Sequence, residues 1–243
     1  MRTLVVGDIH GGLKALKQVL EKVKPLKTDE FIFLGDYVDG WSESAKTVSF
    51  LINFSSKYSC VFLRGNHDEL LYNYIKHGEA KKLWLQHGGE LSKTNYDKLD
   101  KKETKQHLHF FESLRNYFID SENRLFCHAG FTHNYGPEHE YYSNATYWDR
   151  SLWEMVCAMD LTLQINDGKY PNRLKLFKEI YIGHTPVTYL GKTKPVNFAS
   201  VWNIDTGAAF KGPLSIIDID TKEFWQSDPV FKLYPLENGR NEN

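Results

Sequence analysis

Aspartate, histidine and asparagine recur in this chain in five short motifs: Gly7-Asp8-Ile9-His10-Gly11, Gly35-Asp36-Tyr37-Val38-Asp39-Gly40, Gly65-Asn66-His67-Asp68, His128-Ala129-Gly130 and Gly183-His184-Thr185-Pro186. Each follows a short apolar run. Carboxylate oxygens, imidazole nitrogens and an amide oxygen make a mixed donor set, which suits manganese, iron or zinc better than calcium and lacks the thiolates of a structural zinc site. Six donor residues stand out: Asp8, His10, Asp36, Asn66, His128 and His184. They exceed what one ion with open positions needs. They match two divalent ions roughly 3.5–4 Å apart with one shared carboxylate, an arrangement typical of phosphate-ester hydrolysis. A single such motif is an ordinary turn; the five in series are the signal. His77, His87, His107, His109, His133 and His139 lie in no such motif and read as surface or core residues.

The set GDIHG, GDYVDG, RGNHD, HAG and GHTPV resembles the calcineurin-like metallophosphoesterase superfamily. Within it, the likeness is closest to the prokaryotic branch of the PPP-type Ser/Thr protein phosphatases, whose NIDTGA segment is matched at Asn203-Ile204-Asp205-Thr206-Gly207-Ala208. Nucleases and phosphodiesterases of that superfamily carry Gly-His-x-His; here Pro186 stands at the second histidine position, which resembles the PPP branch instead. The resemblance implies an α/β fold, an αββα sandwich of two mixed sheets flanked by helices. It implies that Asp8 and His10 hold one ion, that Asp36 bridges, and that Asn66, His128 and His184 hold the other. Manganese is the first expectation for the ions, with iron or zinc as alternatives. His67 would be the general acid and Asp39 the partner that fixes its tautomer. The nucleophile would be a water activated between the ions.

One departure stands out. The branch usually carries arginine after the second-motif aspartate, where it grips phosphate, and Gly40 and Trp41 occupy those places here. Arg150, in Thr146-Tyr147-Trp148-Asp149-Arg150, resembles the W-x-R element of the branch and is the leading replacement; an ion pair with Asp149 or Glu154 is the alternative reading. Arg64, before the GNHD motif, is the next candidate, or else a structural cap. A planar guanidinium suits either place because it matches two phosphate oxygens. The leading expectation is a phosphoprotein phosphatase acting on phosphoserine and phosphothreonine, with dual specificity that extends to phosphotyrosine as the alternative. The runner-up is a small-molecule phosphohydrolase such as a symmetrical dinucleoside tetraphosphatase. A non-catalytic scaffold of the same fold is a distant third, because all six donor positions and His67 are present.

These residues must be positioned by strands. Apolar runs at Leu4-Val6, Phe31-Leu34, Cys60-Leu63, Leu125-Cys127, Ile180-Ile182, Val201-Ile204 and Leu214-Ile219 read as β, and helix-spaced apolar residues follow the first three. In such a sheet the loops at the carboxyl ends of parallel strands gather on one edge. The pattern from about Ser200 suggests a second sheet with antiparallel pairing. A single domain spans 1–243. It carries a Lys/Glu/His-rich helical insertion over about 78–122 and an aromatic, irregular, lid-like insertion over about 131–178. The polar stretch Glu237-Asn243 reads as a frayed end. The chain has 243 residues and a net charge of -1, so no basic excess draws it to nucleic acid or membranes. Nothing at the amino terminus reads as a signal peptide, which points to the cytoplasm. Three scattered cysteines form neither a disulfide framework nor a zinc cluster.

Overall fold

The computed structural model describes residues 1–241. Its first strands, β1 (Thr3–Val6), β2 (Glu30–Phe33) and β3 (Ser59–Phe62), pair in parallel with Val5 opposite Ile32 and Ile32 opposite Val61. The crossovers are α1 (Leu13–Val23) and α2 (Ser44–Ser55). In α1, Leu13, Leu16, Leu20 and Val23 recur at helical spacing and form its buried stripe. Next comes α3 (Asn66–His77), followed by α4 (Lys82–Trp84), α5 (Glu90–Asp97) and α6 (Lys101–Ser113). The side chain of Asp100 caps α6 by accepting the Lys102 and Glu103 N–H groups. This charged segment is solvated on one face only. Trp84, Tyr96, Phe110 and Phe111 are buried in the same core as Leu16 and Phe33.

The second sheet contains β4 (Tyr117–Ile119), β5 (Arg124–Cys127), β6 (Glu179–Ile182), β7 (Val196–Phe198) and β8 (Val201–Asn203), in the order β4-β5-β6-β8-β7. Its three central strands are parallel and its edges antiparallel. Between β5 and β6 lie α7 (Ala145–Trp148) and α8 (Ser151–Ala158). The chain closes with β9 (Ser215–Asp218), β10 (Phe224–Gln226) and α9 (Val230–Leu233). The separate antiparallel sheet suggested by the sequence after Ser200 does not form. β8 extends the parallel run beside β6, while β9 and β10 return to the first sheet, giving β10-β9-β1-β2-β3. Burial explains the return. Ile216 faces the helices and Ile217 faces the other sheet, so β9 is apolar on both sides and needs a covered place.

Val5, Ile32 and Ile217 meet Phe126, Tyr181 and Ile204 between the sheets. Leu4, Val6 and Phe33 point outward to the first helical layer, and Leu125, Ile180 and Ile182 pack under Trp153 and Val156 of α8. The result is the αββα sandwich. The frayed end anticipated at Glu237-Asn243 is fixed as far as Asn241; Glu242 and Asn243 lie outside the described residues. The Glu237 carboxylate accepts from Ser42 N and Oγ at 2.9 and 2.6 Å, and Arg240 N donates to the Ala209 carbonyl at 2.9 Å. Among the described residues no helix is long and apolar enough to cross a membrane.

Candidate active site

The motif loops leave the carboxyl ends of β1, β2, β3, β5 and β6 and meet at one edge of the stack. Their turns are tight enough to force non-glycine residues into the left-handed region: φ is 51° at His10, 54° at Asp36, 70° at Asp39 and 68° at His184. Such conformations cost about 1–2 kcal/mol each and persist only when their surroundings over-determine them. Asp68 supplies much of that restraint. Its carboxylate accepts from the N–H groups of Asp36, Tyr37 and Gly65 at 2.8–2.9 Å, and so locks the second loop to the third.

The imidazole tautomers follow from the backbone. His10 Nδ1–H donates to the Asp39 carbonyl at 3.2 Å, which turns Nε2 toward Asp36 Oδ2 at 3.5 Å and Asp8 Oδ2 at 3.9 Å. His128 Nδ1–H donates to the Leu34 carbonyl at 3.0 Å, leaving its Nε2 lone pair 3.3 Å from Asp36 Oδ2 and 3.2 Å from both Asn66 Oδ1 and His184 Nδ1. Two acceptor clusters therefore share Asp36: one with His10, the other with His128 and His184. The first also takes in His67 by distance. His67 Nδ1 is already committed to Asp39, however, so only its Nε2 is free toward the cavity.

The electrostatics suit cations. Burial, together with the charges of Asp205 and Asp36, raises the Asp8 carboxyl well above the carboxylate range, and its Oδ1 has no partner among the described residues. Burial also acts upward on Asp36, but His128 and His67 outweigh it and hold this carboxyl well below its usual range. Burial pushes the His10 and His184 imidazoles well down, which keeps them neutral with lone pairs available. For His128, burial is outweighed by Asp36, and the ring is shifted up. Asp205 is raised to about 6, chiefly by burial. Buried carboxylates crowded against imidazole nitrogens, with the Asp8 Oδ1 left without a partner among the described residues, form a donor set that fits divalent ions.

Beside the donors, His67 Nδ1–H donates to Asp39 Oδ2 at 2.6 Å. The same oxygen receives the indole N–H of Trp84 at 2.7 Å, and the Asp39 N–H is held by Ser44 and Ser92 Oγ. The helical segment after residue 78 therefore buttresses the His67 partner, a role not seen in the sequence. Arg150, at the start of α8, lines the cavity over the donors and makes no ion pair with Asp149 or Glu154 among the described residues. Arg64 does not reach the cavity: its guanidinium pairs with Glu69 at 2.8 Å and donates to the Phe111 carbonyl at 2.9 Å, which makes it a structural tie rather than a phosphate ligand. Sequence reasoning also missed four further lining residues, Tyr189, Asp205, Phe210 and Arg240. Asp205 lay within the NIDTGA resemblance; for the others no local pattern marked them.

The calcineurin-like phosphoesterase family model matches residues 1–207. A bis(5'-nucleosyl)-tetraphosphatase PrpE, of the asymmetrical type, from Oceanobacillus iheyensis is 25% identical over 244 residues, covering 92% of this chain and 91% of that protein. The corresponding Geobacillus protein is 26% identical, covering 88% and 89%. Among solved structures, a protein provisionally described as a diadenosine tetraphosphatase superposes with a TM-score of 0.62 at 19% identity, covering 93% and 92%. A protein serine/threonine phosphatase from Saccharomyces cerevisiae does so at 0.57 and 15%, covering 95% and 83%, which speaks to the fold alone. The protein-phosphatase activity favoured from sequence is thereby corrected. Relatives matched along about nine-tenths of the chain act by name on a dinucleoside polyphosphate, so the small-molecule alternative is the better supported one.

Proposed function

Because the chain belongs to the calcineurin-like phosphoesterase family, and is a metallophosphoesterase, we propose that it hydrolyses dinucleoside tetraphosphates. The observation that carries this reading is the match to tetraphosphatases along nearly the whole chain. The shape of the mouth agrees with it. The cavity over the donors is about 180 Å³, and Tyr189 and Phe210 line both it and an adjoining cavity of about 630 Å³. A phosphate fits the first, and the second leaves room for a nucleoside beside aromatic side chains.

Asp8 and His10 would hold one divalent ion, Asn66, His128 and His184 the other, and the Asp36 carboxylate would span both. Manganese is the ion we favour. When bound, such ions supply Lewis acidity toward the phosphate oxygens and toward water. The chain's own residues do the rest. His67 Nε2 carries the proton that the departing phosphate oxygen takes up, and the Nδ1–H bond to Asp39 fixes that tautomer. Arg150 sits where its fork can face the phosphate oxygens as charge shifts during transfer. Its planar geometry, rather than charge alone, is what an Arg150→Lys variant would lose.

The test is to incubate the manganese-loaded protein with diadenosine tetraphosphate and, separately, with a phosphoserine peptide, and to resolve the products by chromatography. Asymmetric hydrolysis consumes one water and yields ATP and AMP; symmetric hydrolysis yields two ADP. Nucleotide products formed far faster than peptide phosphate release are expected. Peptide turnover with intact dinucleotide would overturn the proposal.

A further inference from the structure

Arg240 enters the site from the far end of the chain. The described tail is strapped down just before it, by Glu237 on Ser42 and by its own N–H on the Ala209 carbonyl. From there the side chain lines the same cavity as His10, Asn66, His67, Arg150 and His184. Its guanidinium carbon lies 5.4 Å from the Phe210 ring centroid, so an aromatic face supports its plane. No carboxylate pairs with it among the described residues, and its Nε is buried with no hydrogen-bond partner. The residue is half-buried, and a guanidinium whose buried Nε–H lacks a partner is stabilised when an anion completes it.

The passage to this place depends on two glycines. A Cβ on Gly40 would come 3.4 Å from Arg240 Cγ, and one on Gly88 would come 3.0 Å from it. A side chain at position 40 would therefore crowd the stem of Arg240. At φ 106° it would also be strained. The space that a residue following Asp39 would fill is crossed instead by an arginine two hundred positions later. Its positive charge is felt across the donor cluster, since it acts to lower both His10 and Asp205.

We propose that Arg240 is a phosphate-binding residue of this active site, delivered by the strap at residues 237–240, whose guanidinium grips non-bridging oxygens of the substrate's phosphate chain in the cavity that Arg150 also lines. The choice of substrate chain rests on the tetraphosphatase reading; the phosphate grip itself does not. Two donors of the fork match two oxygens of one phosphoryl group, a geometry that lysine cannot reproduce.

The experiment compares wild type, Arg240→Ala, Arg240→Lys and Arg240→Gln, with inorganic phosphate as competitive inhibitor and with diadenosine tetraphosphate and p-nitrophenyl phosphate as parallel substrates. Arg240→Ala should lower kcat/KM by roughly 10²-fold, and the phosphate inhibition constant should rise by roughly ten-fold or more. Metal content by elemental analysis should not change. Arg240→Lys should recover part of both losses, and added methylguanidinium should restore part of the rate to Arg240→Ala only. If removing the side chain loosens the strap, Arg240→Gln keeps a stem over Phe210 and answers the same question through the same phosphate constant. A phosphate constant within about two-fold of wild type in both Ala and Gln variants would overturn the proposal. Failure of the tetraphosphatase reading would look different: wild type would spare the dinucleotide, while the Arg240 effect on p-nitrophenyl phosphate and on phosphate inhibition would stand.

Discussion

Replacing Trp84 by phenylalanine isolates one hydrogen bond on which the His67–Asp39 pair leans. The indole N–H donates to Asp39 Oδ2 at 2.7 Å, the oxygen that also receives His67 Nδ1–H at 2.6 Å. Asp39 is 0% exposed and its Oδ1 has no partner among the described residues, so water does not replace a lost donor. Phenylalanine keeps most of the ring packing against Tyr74 but brings no N–H. Removing a donor from a buried charged acceptor costs about 1.5–3 kcal/mol. For a chain of this length, that lowers Tm by roughly 3–12 °C. With one restraint gone the carboxylate can swing, His67 loses its aim, and kcat should fall by roughly ten-fold. The assay is thermal unfolding by circular dichroism together with steady-state hydrolysis, repeated in an Asp39→Asn background. There the Trp84→Phe penalty should shrink, because the charge it served is absent. A melt within about 1 °C of wild type, or an undiminished penalty in the Asp39→Asn background, would refute the reasoning.

His67→Asn should retain two divalent ions per chain yet slow hydrolysis of alkyl phosphates by roughly 10²–10⁴-fold, and the loss should be smaller for p-nitrophenyl phosphate, whose leaving group needs little proton help; equal losses on both would contradict the acid role. Chelation should abolish activity, with manganese restoring it best and Asp36→Asn preventing restoration, and full activity in metal-free protein would dispose of the two-ion reading. Arg150→Ala should lower kcat/KM by roughly 10²-fold with metals retained, and a wild-type rate would remove Arg150 from the phosphate. His107, buried between Ser49 Oγ and Tyr96 OH, has its pKa lowered by burial from 6.5 to about 4. The unfolded chain thus binds a proton that the native state refuses, and stability falls as pH drops from 6.5 toward 4, by roughly 2 kcal/mol at pH 5. His107→Gln should flatten that fall in urea midpoints compared at pH 7 and pH 5, whereas an unchanged slope would rule out this histidine as its source.

What the sequence made legible was local. Asp8, His10, Asp36, Asn66, His128 and His184 each follow a strand by one or a few residues, and a parallel sheet brings such positions together whatever else the chain does. The strands themselves were readable because both faces of each sheet are covered, which leaves near-continuous apolar runs. The partners missed are those joined by folding rather than by spacing. Trp84 reaches Asp39 across 45 positions, and in sequence it is an aromatic residue among lysines. Arg240 sits in a polar tail whose composition reads as fraying, and only the Glu237–Ser42 and Arg240–Ala209 bonds reveal it as held. Likewise β9 looks like any closing strand until Ile216 and Ile217 are seen to be buried on opposite faces. Arg64 erred the other way: a motif position suggested chemistry, and Glu69 took the guanidinium.

The left-handed backbone at His10, Asp36, Asp39 and His184 sets a direction for this protein under selection. Glycine relieves the backbone strain at each of those positions. A library screened only for heat resistance should therefore enrich glycine at these four sites, and each winner would be a better-folded protein that has discarded a piece of its chemistry. Conversely, a lineage that keeps all four side chains advertises continued use of the reaction, because foldability by itself erodes them.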